Sequence, residues 1–230
     1  ERDIKYAMSN SFAFGGNNAS IVFAKDPNVL DLSCPKQELY VTGIGMVNGE
    51  YDEAAKSYVA NLDTDTFKAY GVKSAFLRKL DRLSQLQLLS GVRALEDAGI
   101  TVNDDNAGII GICIGTNEGP MTEIANFQKG IIKDGIDKGS AFAFPNTVYN
   151  AAGGYLSIFT GIKGYNATIA NGFQSGLQSV CAAIGAIMFG YENIMLASGT
   201  DECTDIDHES GVTYVSEYNR YNDQTLMEEY

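Results

Sequence analysis

Apolar residues follow two rhythms along this 230-residue chain. A glycine-rich stretch from Tyr6 leads into Ser20-Ile-Val-Phe23, a β-branched and aromatic run that predicts a short strand. Leu39-Tyr-Val-Thr-Gly-Ile-Gly45 predicts a second strand ending in a glycine turn. From Phe76 to Ala98 the rhythm lengthens: Leu77, Leu80, Leu83, Leu88, Val92 and Leu95 predict one long amphipathic helix with Gly99 as its C-cap. Residues 107–115 form a near-continuous apolar run, the signature of a strand covered on both faces. Helical patterns over 120–133, 146–160 and 174–190 then alternate with strand-like runs at 166–170 and 193–198. That alternation predicts an α/β layered fold, a mostly parallel sheet covered by helices. Residues 25–38 hold two of the four prolines without periodicity and read as a linker, and the chain turns acidic and polar after Gly199.

Charge narrows the partners. Sixteen Lys and Arg stand against twenty-nine Asp and Glu, a formal net charge of -13 without any basic run, which argues against nucleic acid and acidic membranes as partners. The single histidine, His208, rules out a catalytic zinc site built on two or three histidines. Cys34, Cys113, Cys181 and Cys203 are widely spaced, and Cys113 and Cys181 lie in apolar runs that predict reduced, buried thiols. No membrane-length apolar run and no leader-like start occur in the sequence, so a cytoplasmic protein without a membrane span is expected. Gly111 to Gly119 has the glycine density of a phosphate loop but not its spacing, and reads as a strand-to-helix turn. Residues 201–207 cluster carboxylates without calcium-loop spacing and read as a solvated acidic loop, so neither a metal nor a cofactor is expected.

Four segments resemble one family. Ser9-Asn-Ser-Phe-Ala-Phe-Gly-Gly-Asn-Asn-Ala-Ser20 resembles the NSFGFGGTNAS loop that ends β-ketoacyl synthases of the thiolase fold. Val41-Thr-Gly-Ile-Gly-Met-Val47 is similar to their VTGxGxVS opening. Phe144-Pro-Asn-Thr-Val-Tyr-Asn150 is similar to FPSTxxN, and Gly161-Ile-Lys-Gly164 to the GxRGP that follows. The resemblance implies a thiolase-like layered fold with an incomplete second half. Residues 1–24 would correspond to the C-terminal loop and strand of ketosynthases, 25–38 to a linker, and 39–230 to a domain like the ketosynthase N-terminal half.

Two departures accompany the match. The terminal loop precedes the opening strand, and nothing resembles the family's two catalytic histidine motifs; His208 sits in the acidic run Asp205-Ile-Asp-His-Glu. Counted ungapped from Gly164, the family's T-A-C-x-x-G falls on Asn171-Gly-Phe-Gln-Ser-Gly176, so Phe173 takes the place of the nucleophilic cysteine and Gln174 stands beside it. Chain-length factors commonly carry Gln at that position. A thiolate at a helix N-terminus is what accepts the acyl group in a synthase, and phenylalanine offers none. Cys181, two turns further on, reads as core. In the family two backbone N–H groups form the oxyanion hole, and their counterparts would be those of Phe173 and Phe14. Phe12, Phe14, Gly15, Gly16 and Phe173 are therefore the candidates for an acyl pocket or oxyanion loop, with no catalytic residue among them.

The resemblance implies a non-catalytic, chain-length-factor-like subunit that shapes the acyl pocket of a partner β-ketoacyl-[acyl carrier protein] synthase in fatty acid or polyketide biosynthesis. The alternative is part of an active acyltransferase whose catalytic residues lie elsewhere; a weaker third reading is a structural protein that kept the fold for oligomerisation. The implied partners are a ketosynthase-like subunit, in a homo- or heterodimer joined at the strand of residues 166–170, and an acyl carrier protein engaged through that partner.

Overall fold

The apolar run after Ala107 becomes the centre of a sheet. The computed structural model describes residues 4–12, 18–25, 38–52, 57–60 and 62–202. Strands β1 (Tyr6–Phe12) and β2 (Asn18–Ala24) form an antiparallel hairpin of their own, and β3 (Glu50–Asp52) and β4 (Ser57–Val59) form a second. Short helices α1 (Thr64–Ala69) and α2 (Ser74–Leu77) precede α3 (Arg82–Asp97). Then come β5 (Ile110–Gly115), α4 (Met121–Asp134), α5 (Ala151–Thr160), β6 (Asn166–Ile169), α6 (Ser175–Met188) and β7 (Ile194–Gly199). The three later strands make one parallel sheet in the order β6-β5-β7. The expected parallel α/β architecture is present.

The two faces of β5 explain how its helices pack. Successive side chains of a strand point to opposite faces, so Ile110, Ile112 and Ile114 share one face and Gly111, Cys113 and Gly115 the other. The isoleucine face joins one buried cluster with Leu83, Leu88, Leu89, Val92 and Leu95 of α3 and Ala152 and Leu156 of α5. The small face receives α6, whose buried residues are themselves small: Ser175, Ser179, Ala183 and Ala186. Each leucine wholly withdrawn from water contributes about 1.5–3 kcal/mol, which places most of the cohesion on the α3–α5 side.

Some expectations need correction. The single helix from Phe76 to Ala98 is two helices, because Asp81 adopts an extended conformation and caps α3, accepting from Ser84 N at 3.4 Å. Gly99 does end α3 just beyond the Ala98 cap. The helical run over 146–160 begins with a tight 3-10 turn at Phe144–Thr147 containing Pro145, and α5 proper starts at Ala151. Cys113 is buried as expected, and burial pushes its thiol up to about 11. Cys181 is exposed instead of buried, because α6 turns its small-residue stripe inward and Cys181 lies off that stripe. The expected strand at Leu39–Gly45 is extended but pairs with no strand among the described residues. The linker residues 26–37, together with His208, Cys34 and Cys203, lie outside the described residues.

Candidate functional site

The C-terminal ends of β5, β6 and β7 converge, the edge at which parallel α/β sheets place their ligands. Thr116 N donates to Ile169 O and Thr200 N to Gly115 O, both at 2.9 Å, so the loops after the three strands begin level with one another. Asp201, just past β7, ties its own loop to the one after β5. Its Oδ1 accepts from Thr116 Oγ1 at 2.7 Å, Asn117 N at 2.8 Å and Glu118 N at 3.2 Å. Thr116 Oγ1 in turn accepts from Gly119 N at 3.0 Å. The stretch from Gly111 to Gly119 is thus the expected strand-to-helix turn, held by a carboxylate two residues past the end of β7. Of the acidic run, Asp201 is exposed as expected though anchored by these bonds, Glu202 is not solvated, and residues 203–207 lie outside the described residues. Glu202 is buried, accepts from Thr122 N at 3.4 Å and has its carboxyl raised above the ordinary range, chiefly by burial.

Behind this edge lies a polar trio that the sequence pattern did not reveal. Gln87 of α3 is fully buried, and its Oε1 accepts from Ser198 Oγ at 2.8 Å and Thr200 Oγ1 at 2.6 Å. A glutamine among leucines at helical spacing reads as a solvated position; only β7 behind it supplies the hydroxyls that let it be buried.

The residues singled out as Phe173 and Gln174 stand at the start of α6. Gln174 is its N-cap residue, without a side-chain capping bond, and Phe173 precedes it with 61% of its surface exposed. The turn is built by Ser175, whose Oγ donates to Gly172 O at 2.6 Å and accepts from Asn171 N at 2.8 Å. Gly172 has φ +72°, a left-handed conformation that suits glycine. A Cβ on Gly115 would overlap the Ser175 carbonyl, so the missing side chain seats the helix start directly on the end of β5. Asn171 Nδ2 donates to Gln178 Oε1 at 3.1 Å and braces the turn against the helix.

The fourteen residues of α6 present their partial positive charge to this opening, where a thiolate would be stabilised and lowered in pKa. Phe173 puts an aromatic ring there instead. Cys113 is sealed inside β5, and Cys181 lies on α6 well past its first turn. Phe14, Gly15 and Gly16 lie outside the described residues, as does the side chain of Phe12, although the Phe12 backbone ends β1. The structure thus brings Phe173 and Gln174 together at the start of α6, where the flanking Gly172 faces the Asn117 side chain and Ser175 abuts the end of β5. Among the described residues no group of three His, Cys, Asp or Glu is placed to hold a metal ion, and no helix is long and apolar enough to cross a membrane.

Residues 41–212 match the family described as β-ketoacyl synthase, N-terminal domain. The chain belongs to the β-ketoacyl synthase family. Among its curated relatives, a 3-oxoacyl-[acyl-carrier-protein] synthase 2 of Vibrio cholerae serotype O1 is 31% identical over 193 residues, covering 74% of this chain and 47% of that protein. The chain therefore spans about half the length of that relative. Among solved structures, one of the ishigamide ketosynthase/chain length factor matches with a TM-score of 0.54 at 23% identity, over 60% of this chain and 39% of the other. A type II polyketide synthase acyl-carrier protein in complex with its ketosynthase, bound to the hexaketide, contributes a match with a TM-score of 0.51 at 18% identity, over 56% of this chain and 33% of the other. These likenesses establish the thiolase-like ketosynthase fold.

Proposed function

We propose that this β-ketoacyl synthase family chain is a non-catalytic, chain-length-factor-like subunit that shapes the acyl pocket of a partner β-ketoacyl-[acyl carrier protein] synthase in fatty acid or polyketide biosynthesis. The observation that carries the reading is Phe173 at the mouth of α6. The fold offers a helix N-terminus suited to a thiolate, and the residue there has no nucleophile. An exposed aromatic ring at that opening suits contact with an acyl chain or an apolar wall of a partner. On this reading residues 39–230 act as the ketosynthase N-terminal-half-like domain, and Phe12, Phe14, Gly15 and Gly16 belong to a loop that covers the same opening. β6 is the outer strand of its sheet, which suits a dimer joined at that edge. With a net charge of -13 the chain is a poor docking surface for an acidic carrier protein, so the carrier would engage the partner.

The alternative, part of an active acyltransferase completed by residues elsewhere, draws on the fact that the chain spans only 47% of the Vibrio relative. Incubating the purified chain with a malonyl-carrier thioester, alone and with a co-purified ketosynthase, separates the two. The subunit reading expects no condensation or decarboxylation by the chain alone and altered product length in the pair. Turnover by the chain alone, exceeding that of Phe173→Ala, would overturn it.

A further inference from the structure

Three carboxylates gather at the starts of α3 and α4, past the end of β7. Asp81 is the extended residue that caps α3, and it is only 5% exposed. Glu202, three residues past β7, is 7% exposed, and Glu123 is half-buried in the first turn of α4. Glu202 Oε1 accepts from Thr122 N at 3.4 Å, which sets it against the residue before Glu123. Burial raises all three carboxyls above the ordinary range, and the charge of Asp81 adds to the rise at both glutamates. Near Asp81, Asn146 Nδ2 donates to Lys79 O at 2.9 Å, and the Tyr155 hydroxyl donates to Asn146 Oδ1 at 2.7 Å.

Little positive charge answers them. Among the described residues none of the three is in an ion pair. Arg82, which lowers Glu202, sends its guanidinium to Ala60 O at 2.9 Å. Asp201 turns instead to Thr116 and Asn117, and the Tyr155 phenol is raised by burial and by Asp81. Asp81 Oδ1 and the neighbouring Ser84 Oγ are buried without a hydrogen-bond partner. Each helix start supplies about half a positive charge, so α3 and α4 together balance about one of the three carboxylates. The three are not placed to hold a metal ion among themselves. A buried carboxylate that nothing balances keeps a proton.

We propose that Asp81, Glu123 and Glu202 form a proton-held latch: a proton shared among them ties the start of α4 and the loop after β7 to the start of α3, and its loss to water releases them. The joint gives way at α4. Pro120 caps that helix without a side-chain bond, and its first turn meets the loop after β7 through the long Thr122–Glu202 bond. Ionised carboxylates repel one another, which drives Glu202 toward water. Asp201, its neighbour in the chain, carries the bonds that hold the turn at 116–118. Because all three carboxyls are raised, the closed form is favoured below their ordinary values and lost as pH rises through the raised ones. The latch involves neither Phe173 nor the outer edge of β6, so it stands whichever functional reading holds.

Hydrogen exchange on the unaltered chain, corrected for intrinsic amide rates, tests it. From about pH 4 to about pH 8, amides of 117–125 are expected to lose about tenfold protection relative to those of β5. Asp81→Asn with Glu202→Gln should keep the low-pH protection throughout. Glu123→Gln alone leaves the two buried carboxyls in place and should move the midpoint to lower pH, because they lose a like-charged neighbour. A residue that merely packs there would not shift it. Asp105→Asn, an exposed change ahead of β5, should leave the midpoint where it is. A flat pH profile in the unaltered chain would overturn the proposal, and so would a midpoint that ignores Glu123→Gln or a transition that survives the double change. Protection restored at high pH by calcium or potassium ions would overturn it in favour of a cation site.

Discussion

Ile110, Ile112 and Ile114 of β5 are at most 1% exposed, whereas Val41, Ile44 and Met46 of the 38–49 stretch are 85%, 68% and 61% exposed. Both segments are extended, both carry β-branched residues between glycines, and both lie against helices. They differ in neighbours. β5 has a strand on each side and helices on both faces, while 38–49 has α3 on one face and no paired strand among the described residues. Strand-forming sequence is therefore a request for partners, and stability arises only where the tertiary structure supplies them.

The sharpest way to break the contrast is to remove side chains on each side of it. Leu88→Ala, beneath β5, should cost about 2–5 kcal/mol in urea unfolding, since a leucine that is 0% exposed leaves a cavity behind. Ile44→Ala on the unpartnered stretch should change stability by only about 0.5 kcal/mol in the same assay. Equal losses at the two positions would mean that 38–49 is already part of the core.

A smaller effect is expected at Asp81. This carboxylate is buried at the start of α3, its Oδ1 has no hydrogen-bond partner, and burial raises it above the ordinary range. A carboxyl with a raised folded-state pKa favours folding below its unfolded pKa, and that contribution is lost as pH rises through the folded value. Glu202 is raised in the same direction, chiefly by burial. The chain should therefore lose stability as pH rises from the ordinary carboxylate range through the raised values of these two groups. Asp81→Asn, which keeps a capping oxygen, should gain about 1 kcal/mol at pH 7 and flatten that slope in thermal melts.

Little change in fold stability is expected at the outer strand. The carbonyls of Tyr165 and Ile169 accept from Ile112 N and Thr116 N, so the alternate residues Asn166 and Thr168 direct their backbone groups away from β5. Thr168→Pro should leave the unfolding midpoint within about 1 kcal/mol of the parent while abolishing any association through β6, as read by sedimentation. Association that survives the proline would remove β6 from consideration as the joint.

Much of the core was legible because its signals are local. The glycine-bounded run to Gly115, the leucine spacing of α3 and the alternation of later strands and helices each report burial that neighbouring residues already imply. The break at Asp81 was not legible as a boundary, because the leucine period passes through it from Leu77 to Leu83. At the candidate site, Phe173 and Gln174 were singled out through the motif that surrounds them, and the structure places both at the start of α6. Thr116, Asp201 and Gln87 were not, since their partners lie 85 and 111 or more residues away in sequence.

By itself, the sequence determined that strands and helices alternate, that β5 is apolar on both faces, and that no thiol occupies the position before Gln174, since periodicity and residue identity are written locally. Which strand-like segments find partners was decided only in three dimensions. So was the inward face of α6, where helical spacing alone would bury Leu177, Val180 and Ile184 with their large side chains, yet Ser175, Ser179, Ala183 and Ala186 are the buried set. The small face of β5, with Gly111, Cys113 and Gly115, draws the helix close, and close approach favours the residues that take up least room.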